Sequence, residues 1–259
     1  MTTDLFTLKG RTALITGGSR GIGRMIAEGF PHHGAKVYIS ARKGGALEET
    51  AKELSTIGPC IALTMNASGA DGAKAMADAY LKHEKSLDIL VNNAGAAWGA
   101  DFDEFPESGW DKVMDLNIKT PFFLTQALHG ALRAAASKEK LAKVINIASI
   151  DGIAVNPQET YSYHASKAGL IHLTRRMAVR LIRDNIVVSA IAPGAFASDM
   201  NRDARDHGDA LSRVIPSRRI GTPEDMAGAA IYLASRAGDY VVGGTIVVDG
   251  AVSLMRAGA

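Results

Sequence analysis

Short β-branched or apolar runs alternate with helical segments along nearly the whole chain: Thr12 to Thr16, Lys36 to Ser40, Ile61 to Met65, Ile89 to Val91, Val144 to Ile147, Val187 to Ile191 and Thr245 to Val248. Such a series reads as repeated strand, helix, strand units. Runs such as Ile89-Leu90-Val91 lack the polar alternation of a half-exposed sheet, so their strands are expected to be covered on both faces. The expected fold is therefore α/β, a doubly wound parallel sheet with helices on both faces. No repeat, low-complexity tract or linker interrupts the series, and residues 1–259 are expected to form one domain. The least regular stretch, about 196–219, carries alternating charges. In such sheets ligands bind beyond the carboxyl ends of strands, so this stretch is either a lid or a solvated surface excursion.

The first run is followed by Thr16-Gly17-Gly18-Ser19-Arg20-Gly21-Ile22-Gly23 and then by the helical segment Arg24 to Phe30. Glycines let a backbone turn sharply and approach a pyrophosphate. The helix start offers free N–H groups and partial positive charge to the phosphates. A glycine-rich turn alone could be a tight connection, but placed after a strand and opening a helix it favours a nucleotide.

Composition narrows the partners. A formal net charge of +2, with 47% hydrophobic and 22% charged residues, leaves no electrostatic footprint for nucleic acid or membrane and points to a small-molecule partner. The single Cys60 excludes an internal disulfide and a cysteine metal cluster, and reads as a small buried apolar residue. The seven histidines form no metal motif, so no metal is expected; His32 and His33 fall where a helix should end before Gly34. Met1 to Arg11 lacks the apolar region of a leader and no later run approaches a membrane span, so the expected compartment is cytoplasmic.

The glycine spacing TGxxxGxG resembles the short-chain dehydrogenase/reductase family in its compact single-domain, Rossmann-like branch, and the resemblance runs from about Leu8 to Gly250. After the second run, Ile39-Ser40-Ala41-Arg42-Lys43 carries no acidic residue for a ribose 2′-hydroxyl. Arg42 can fork onto a 2′-phosphate and Arg20 can approach it, which points to NADP(H). The resemblance implies that Gly17, Ser19, Arg20, Gly21, Ile22 and Gly23 hold the phosphates. It implies that Asn66 contacts adenine, standing where the family usually has Asp, and that Asn93, Ala94 and Gly95 of Asn92-Asn93-Ala94-Gly95 line the ribose side.

Hydride transfer to a carbonyl leaves an alkoxide that needs a proton, and a phenol supplies it only if a cation favours its anion. In Tyr163-His164-Ala165-Ser166-Lys167, on a helix running to about Arg183, Tyr163 and Lys167 share one face. Lys167 is expected to lower the Tyr163 pKa and to hold the nicotinamide ribose. The resemblance adds Ser149, polarising the substrate oxygen, and Asn117, holding a water that links Lys167 to solvent, to complete a catalytic set. It also makes Pro193, Gly194 and Ser198 the cup for the carboxamide, Ser198 replacing the usual Thr. Tyr161 has no lysine four residues on and is expected to line the substrate mouth. Arg219 to Asp225 reads as a turn with an N-cap at Thr222 and Pro223 opening a helix. Val248-Asp249-Gly250-Ala251 departs from the family's usual DGG.

Trp98-Gly99, Ser108-Gly109-Trp110 and Ala192-Pro193-Gly194 are similar to the 3-oxoacyl-(acyl carrier protein) reductases, those of the rhamnolipid-pathway type in particular. That implies a 3-oxoacyl thioester reductase and a homo-oligomer, a tetramer. Alternatives are a ketone or secondary-alcohol dehydrogenase acting on a free sugar, polyol or cyclic ketone, and a non-catalytic NADP sensor. The intact set Asn117, Ser149, Tyr163 and Lys167 argues against the sensor. Arg175, Arg176, Arg180 and Arg183 are either a docking patch for an acyl carrier or an ordinary charged helix face.

Overall fold

The computed structural model describes residues 4–255, so the extreme ends of the expected 1–259 domain lie outside the described residues. Seven strands form one sheet: β1 (Thr12–Thr16), β2 (Lys36–Ala41), β3 (Cys60–Thr64), β4 (Ile89–Asn92), β5 (Ala142–Ile147), β6 (Ile186–Pro193) and β7 (Thr245–Val248). Their spatial order is β3-β2-β1-β4-β5-β6-β7, and every pairing is parallel. The order reverses between β1 and β4, and loops beyond the carboxyl ends of strands part there to leave a crevice.

Alternate strand residues explain the two covered faces. Ala13, Ile15, Val37, Ile39, Val91, Ile145 and Ile191 point into one core. That core is closed by α1 (Gly21–His32), α2 (Gly44–Leu54) and α10 (Pro223–Ala234), through Ile26, Phe30, Leu47, Met226 and Ile231. Leu14, Tyr38, Leu63, Leu90, Val144 and Val188 point the other way. They meet α3 (Gly69–Leu81), α5 (Thr120–Ala127), α6 (His129–Ala135) and α7 (Tyr161–Leu181). A large apolar side chain taken fully out of water contributes about 1.5–3 kcal/mol, so the two cores dominate the stability.

The remaining helices are α4 (Glu107–Met114), α8 (Arg202–Asp206) and α9 (Gly208–Val214). The stretch 196–219 is thus partly helical. It is fastened at both ends, because Phe196 is buried against Gly221 and Ile215 is buried beside Gly250. β6 runs longer than its apolar run suggested, since all eight residues through Pro193 are buried. α1 ends at His32, with Gly34 in the left-handed region and His33 placing Nδ1 3.1 Å from the Gly29 carbonyl oxygen. Asp225 caps α10 by accepting from the Thr222 N–H at 2.9 Å, with Pro223 opening the helix. Among the described residues, no helix is long and apolar enough to cross a membrane.

Candidate active site

The glycine-rich loop leaves β1 and is locked onto the end of β4. The Thr16 hydroxyl accepts from the Asn93 and Ala94 N–H groups at 3.0 Å each, and Asn93 Nδ2 donates to the Thr16 and Gly17 carbonyls at 2.8 and 3.1 Å. A Cβ on Gly23 would stand 2.2 Å from the Gly17 carbonyl oxygen, so no side chain fits there. Gly17, with φ of +69°, makes the turn. The expected ribose-side residue Asn93 is therefore also the bolt that shapes the phosphate loop. α1 begins at Gly21 with no side-chain cap and no acidic residue in its first turn, which leaves its positive end to an anion. A pyrophosphate fits that arrangement.

The basic residues behave differently from one another. Arg42, just past β2, is exposed and forms no hydrogen bond or ion pair with the described residues, free to meet a phosphate. Arg20 instead donates to Asp199 at 2.5 Å, and Arg205 holds the other Asp199 oxygen at 2.6 Å. The glycine-rich loop is thereby tied to the segment after β6, and a Cβ on Gly21 would touch the Ser198 side chain at 3.1 Å. Asn66 is exposed beyond β3, with Oδ1 accepting from the Ser68 N–H at 3.3 Å, so its acceptor serves a turn as well. The Gly194 N–H donates to the Val248 carbonyl at 2.9 Å, which sets Pro193 at the rim of the crevice. Ser198 Oγ accepts from the Asn201 N–H at 3.1 Å.

The structure brings the expected catalytic set together. Tyr163 sits in the first turn of α7, and the Ser149 hydroxyl at the end of β5 hydrogen-bonds its phenol. Lys167 is 4% exposed; its Nζ donates to the Ile147 carbonyl at 2.8 Å and lies 5.5 Å from the Tyr163 ring centre. A Cβ on Gly95 would come within 3.7 Å of Lys167 Nζ and 3.3 Å of Asn117 Oδ1, so that backbone touches both groups. Asn117 lies in a π-helical turn, Asp115–Lys119, between α4 and α5, a distortion common at functional sites. Its amide accepts from the Ala96 N–H and donates to the Ala96 carbonyl, both at 2.8 Å, and donates to Ser166 Oγ at 3.0 Å. These bonds pin the loop after β4 to α7, while the side chain itself is not bonded to Lys167.

One electrostatic expectation is reversed in the protein alone. Burial pushes the Tyr163 phenol up to about 12, offset in part by the Ser149 hydrogen bond and reinforced by Asp151. Burial also brings Lys167 down to about 8, against an opposing pull from Asp151. The Lys167 ammonium, itself desolvated, gives up its proton more readily than a free lysine and does not offset the burial of the phenol.

Sequence reasoning missed several contributors. Thr16 is the acceptor hub of the loop. Behind the site, Asn92 Nδ2 donates to Asn146 Oδ1 at 2.9 Å, and Asn146 Nδ2 to Thr174 Oγ1 at 2.9 Å, bridging β4, β5 and α7. Polar residues in strands that are otherwise continuously apolar were the available signal. Arg175 to Arg183 lie about 18 Å or more from Tyr163 along α7 and the 3-10 turn that continues it, at about 1.5 Å per residue. Tyr161 stacks edge-on against Phe102 and Phe105 at 5.4 and 5.7 Å. Trp98 packs over Gly109, where a Cβ would lie 2.7 Å from the indole.

A family model described as enoyl-(acyl carrier protein) reductase matches residues 17–253. Together with the parallel sheet and the tyrosine–lysine pair at its carboxyl edge, this makes the chain a member of the short-chain dehydrogenase/reductase family, an oxidoreductase of alcohol and carbonyl groups. Among its relatives is the rhamnolipids biosynthesis 3-oxoacyl-[acyl-carrier-protein] reductase of Pseudomonas aeruginosa, 46% identical over 96% of this chain and 98% of that protein. The 2-dehydro-3-deoxy-D-gluconate 5-dehydrogenase of Escherichia coli is 38% identical over 96% of this chain and 98% of its own length. Among solved structures, the Pseudomonas aeruginosa RhlG/NADP active-site complex superposes with a TM-score of 0.93 at 45% identity, covering 97% of this chain and 100% of that one.

Proposed function

We propose that the chain is an NADP(H)-dependent reductase of 3-oxoacyl thioesters. The cofactor is NADP(H), in keeping with the NADP-bound relative and with an unpaired Arg42 where the family's second strand ends. When bound, the dinucleotide supplies the hydride and accepts it back in the reverse direction. The chain's own residues do the rest: Arg42 takes the 2′-phosphate, the start of α1 takes the pyrophosphate, and Ser149 and Tyr163 hold the substrate oxygen. Tyr163 donates the proton at Oη and Lys167 replenishes it, with Asn117 and Ser166 fixing the geometry around the amine. Arg20 joins the phosphates only by leaving Asp199.

The observation that carries the substrate choice is the mouth. Phe102, Phe105 and Tyr161 form an aromatic edge, Ile153 and Val155 are exposed in the segment after β5, and Asp101, Asp103 and Glu159 surround Tyr161 with negative charge. An apolar chain is welcome there, whereas an anionic sugar acid meets repulsion. The second reading, a dehydrogenase of a free ketone or secondary alcohol, has support from the sugar-acid relative. Consumption of NADPH with an acetoacetyl thioester, set against free ketones and keto sugar acids, tests the choice. Thioester turnover at least ten times more efficient than any other is expected, and a preference for a sugar acid would overturn it. Residues 196–219 are proposed as the lid, with the Arg20–Asp199 pair as its clasp. We also propose a homotetramer; the apolar groove of Phe122, Leu173, Met177 and Leu181 between α5 and α7 offers a contact surface, and solution scattering decides.

A further inference from the structure

The turn that follows Ser149 carries a carboxylate that none of these roles uses. Asp151 lies in the single 3-10 turn Ile150–Gly152, and its backbone N–H donates to Ser149 Oγ at 3.1 Å. Its carboxylate is oriented by Asn156, whose Nδ2 donates to Oδ1 at 2.8 Å. The turn is pressed onto α7 at the catalytic lysine itself: a Cβ on Gly152 would lie 2.6 Å from the Lys167 carbonyl carbon, so no side chain fits there. Asp151 is half-buried, which limits screening of its charge by water.

We infer that Asp151 is a positioning residue that sets the pH window of the Tyr163–Lys167 pair, acting through its charge and through its hold on Ser149. The inference rests on the proton-transfer roles assigned above. Its negative charge disfavours phenolate and favours ammonium, so it keeps both protons in place and biases the site toward donating one. Both titrating groups respond to it in that sense. The other charged groups on elements packed against α7 are placed elsewhere. Glu107, Asp111 and Lys112 on α4 are exposed, Asp115 and Lys119 pair with each other at 3.0 Å, and Lys143 on β5 is bound to Asp239 at 2.6 Å. Next to Tyr163, His164 directs Nδ1 to the Thr160 carbonyl at 3.0 Å, and Asn117, Ser149 and Ser166 are neutral.

The test is Asp151→Asn, which keeps the shape and the Asn156 contact while removing the charge. The pH profiles of carbonyl reduction and alcohol oxidation should both move to lower pH, by about one unit for a nearby charge in a partly screened site. A fall in kcat with both profiles superimposed on those of the parent enzyme would show a merely structural role and overturn the inference. A second readout needs no turnover. The ultraviolet phenolate titration of the cofactor-free protein, taken as the difference between chains with Tyr163 and with Tyr163→Phe, should start at lower pH in the Asp151→Asn background. An unshifted difference titration counts against the inference equally. Activity surviving in Tyr163→Phe alone would defeat the assigned roles instead, and the titration would still report whether Asp151 acts on that phenol.

Discussion

The two sides of the crevice are built on opposite principles. On the β4–β5–α7 side, Lys167, Asn117, Ser149, Asn92 and Asn146 are buried and hydrogen-bonded to one another or to backbone. On the side after β6, Arg20, Asp199, Arg205 and Asp206 are joined by ion pairs between exposed side chains. Proton transfer depends on sub-ångström placement and on a low-dielectric setting, which burial supplies. Admitting and releasing a charged cofactor needs contacts that can be exchanged, and solvated ion pairs are worth only about 0–1 kcal/mol. On the proposed roles, the chemistry is held by what is hard to break and entry by what is easy to break.

The largest effect should come from emptying the buried side of its charge. Lys167→Met fills the same channel with an apolar stem, and kcat should fall by about a thousand-fold while the circular dichroism spectrum is retained. Retention of a tenth of the activity would mean that the amine is dispensable. On the exposed side, Arg42→Asp should reduce the NADPH over NADH preference by about a hundred-fold, measured as the ratio of kcat/KM values, because a charge-assisted phosphate contact becomes a repulsion. An unchanged ratio would move the 2′-phosphate to other groups.

Smaller effects separate the two principles further. Asn92→Ala leaves Asn146 Oδ1 without its donor in a buried site and should cost about 2 kcal/mol, seen as a fall in Tm of about 4–8 °C. Asp199→Asn should change stability by less than about 1 kcal/mol. Freeing Arg20 should nevertheless tighten NADPH binding several-fold in a fluorescence titration at low salt, and the gain should shrink as salt is raised. If Asp199→Asn instead destabilised the protein as much as Asn92→Ala, the contrast between the two sides would fail.

What was legible in the sequence was local. The strand runs are continuous because both faces are covered, and the glycine loop and the Tyr163–Lys167 spacing are complete within a few residues. Contacts spanning long stretches were not legible. Arg20 looked like a phosphate ligand because its partner Asp199 stands 179 positions away. Lys167 was expected to acidify Tyr163 because spacing reveals proximity and conceals desolvation, which lifts the phenol and lowers the amine and so drives their pKa values apart. For the arginines from Arg175 to Arg183 the sequence left docking patch and charged face open, because helical periodicity says which face a residue shares and not how far along the axis it stands. Asp151 carried no motif; the packing of its turn against α7 is visible only in the fold.

The most direct measurement is a paired binding and turnover experiment on Tyr163→Phe. NADPH should quench or enhance fluorescence with an affinity within about three-fold of the parent, since the phosphate contacts lie elsewhere, while reduction of a 3-oxoacyl thioester should fall by about a thousand-fold or more. Turnover within ten-fold of the parent, or a parent protein that binds no pyridine dinucleotide, would contradict the assignment of the buried phenol as the proton donor.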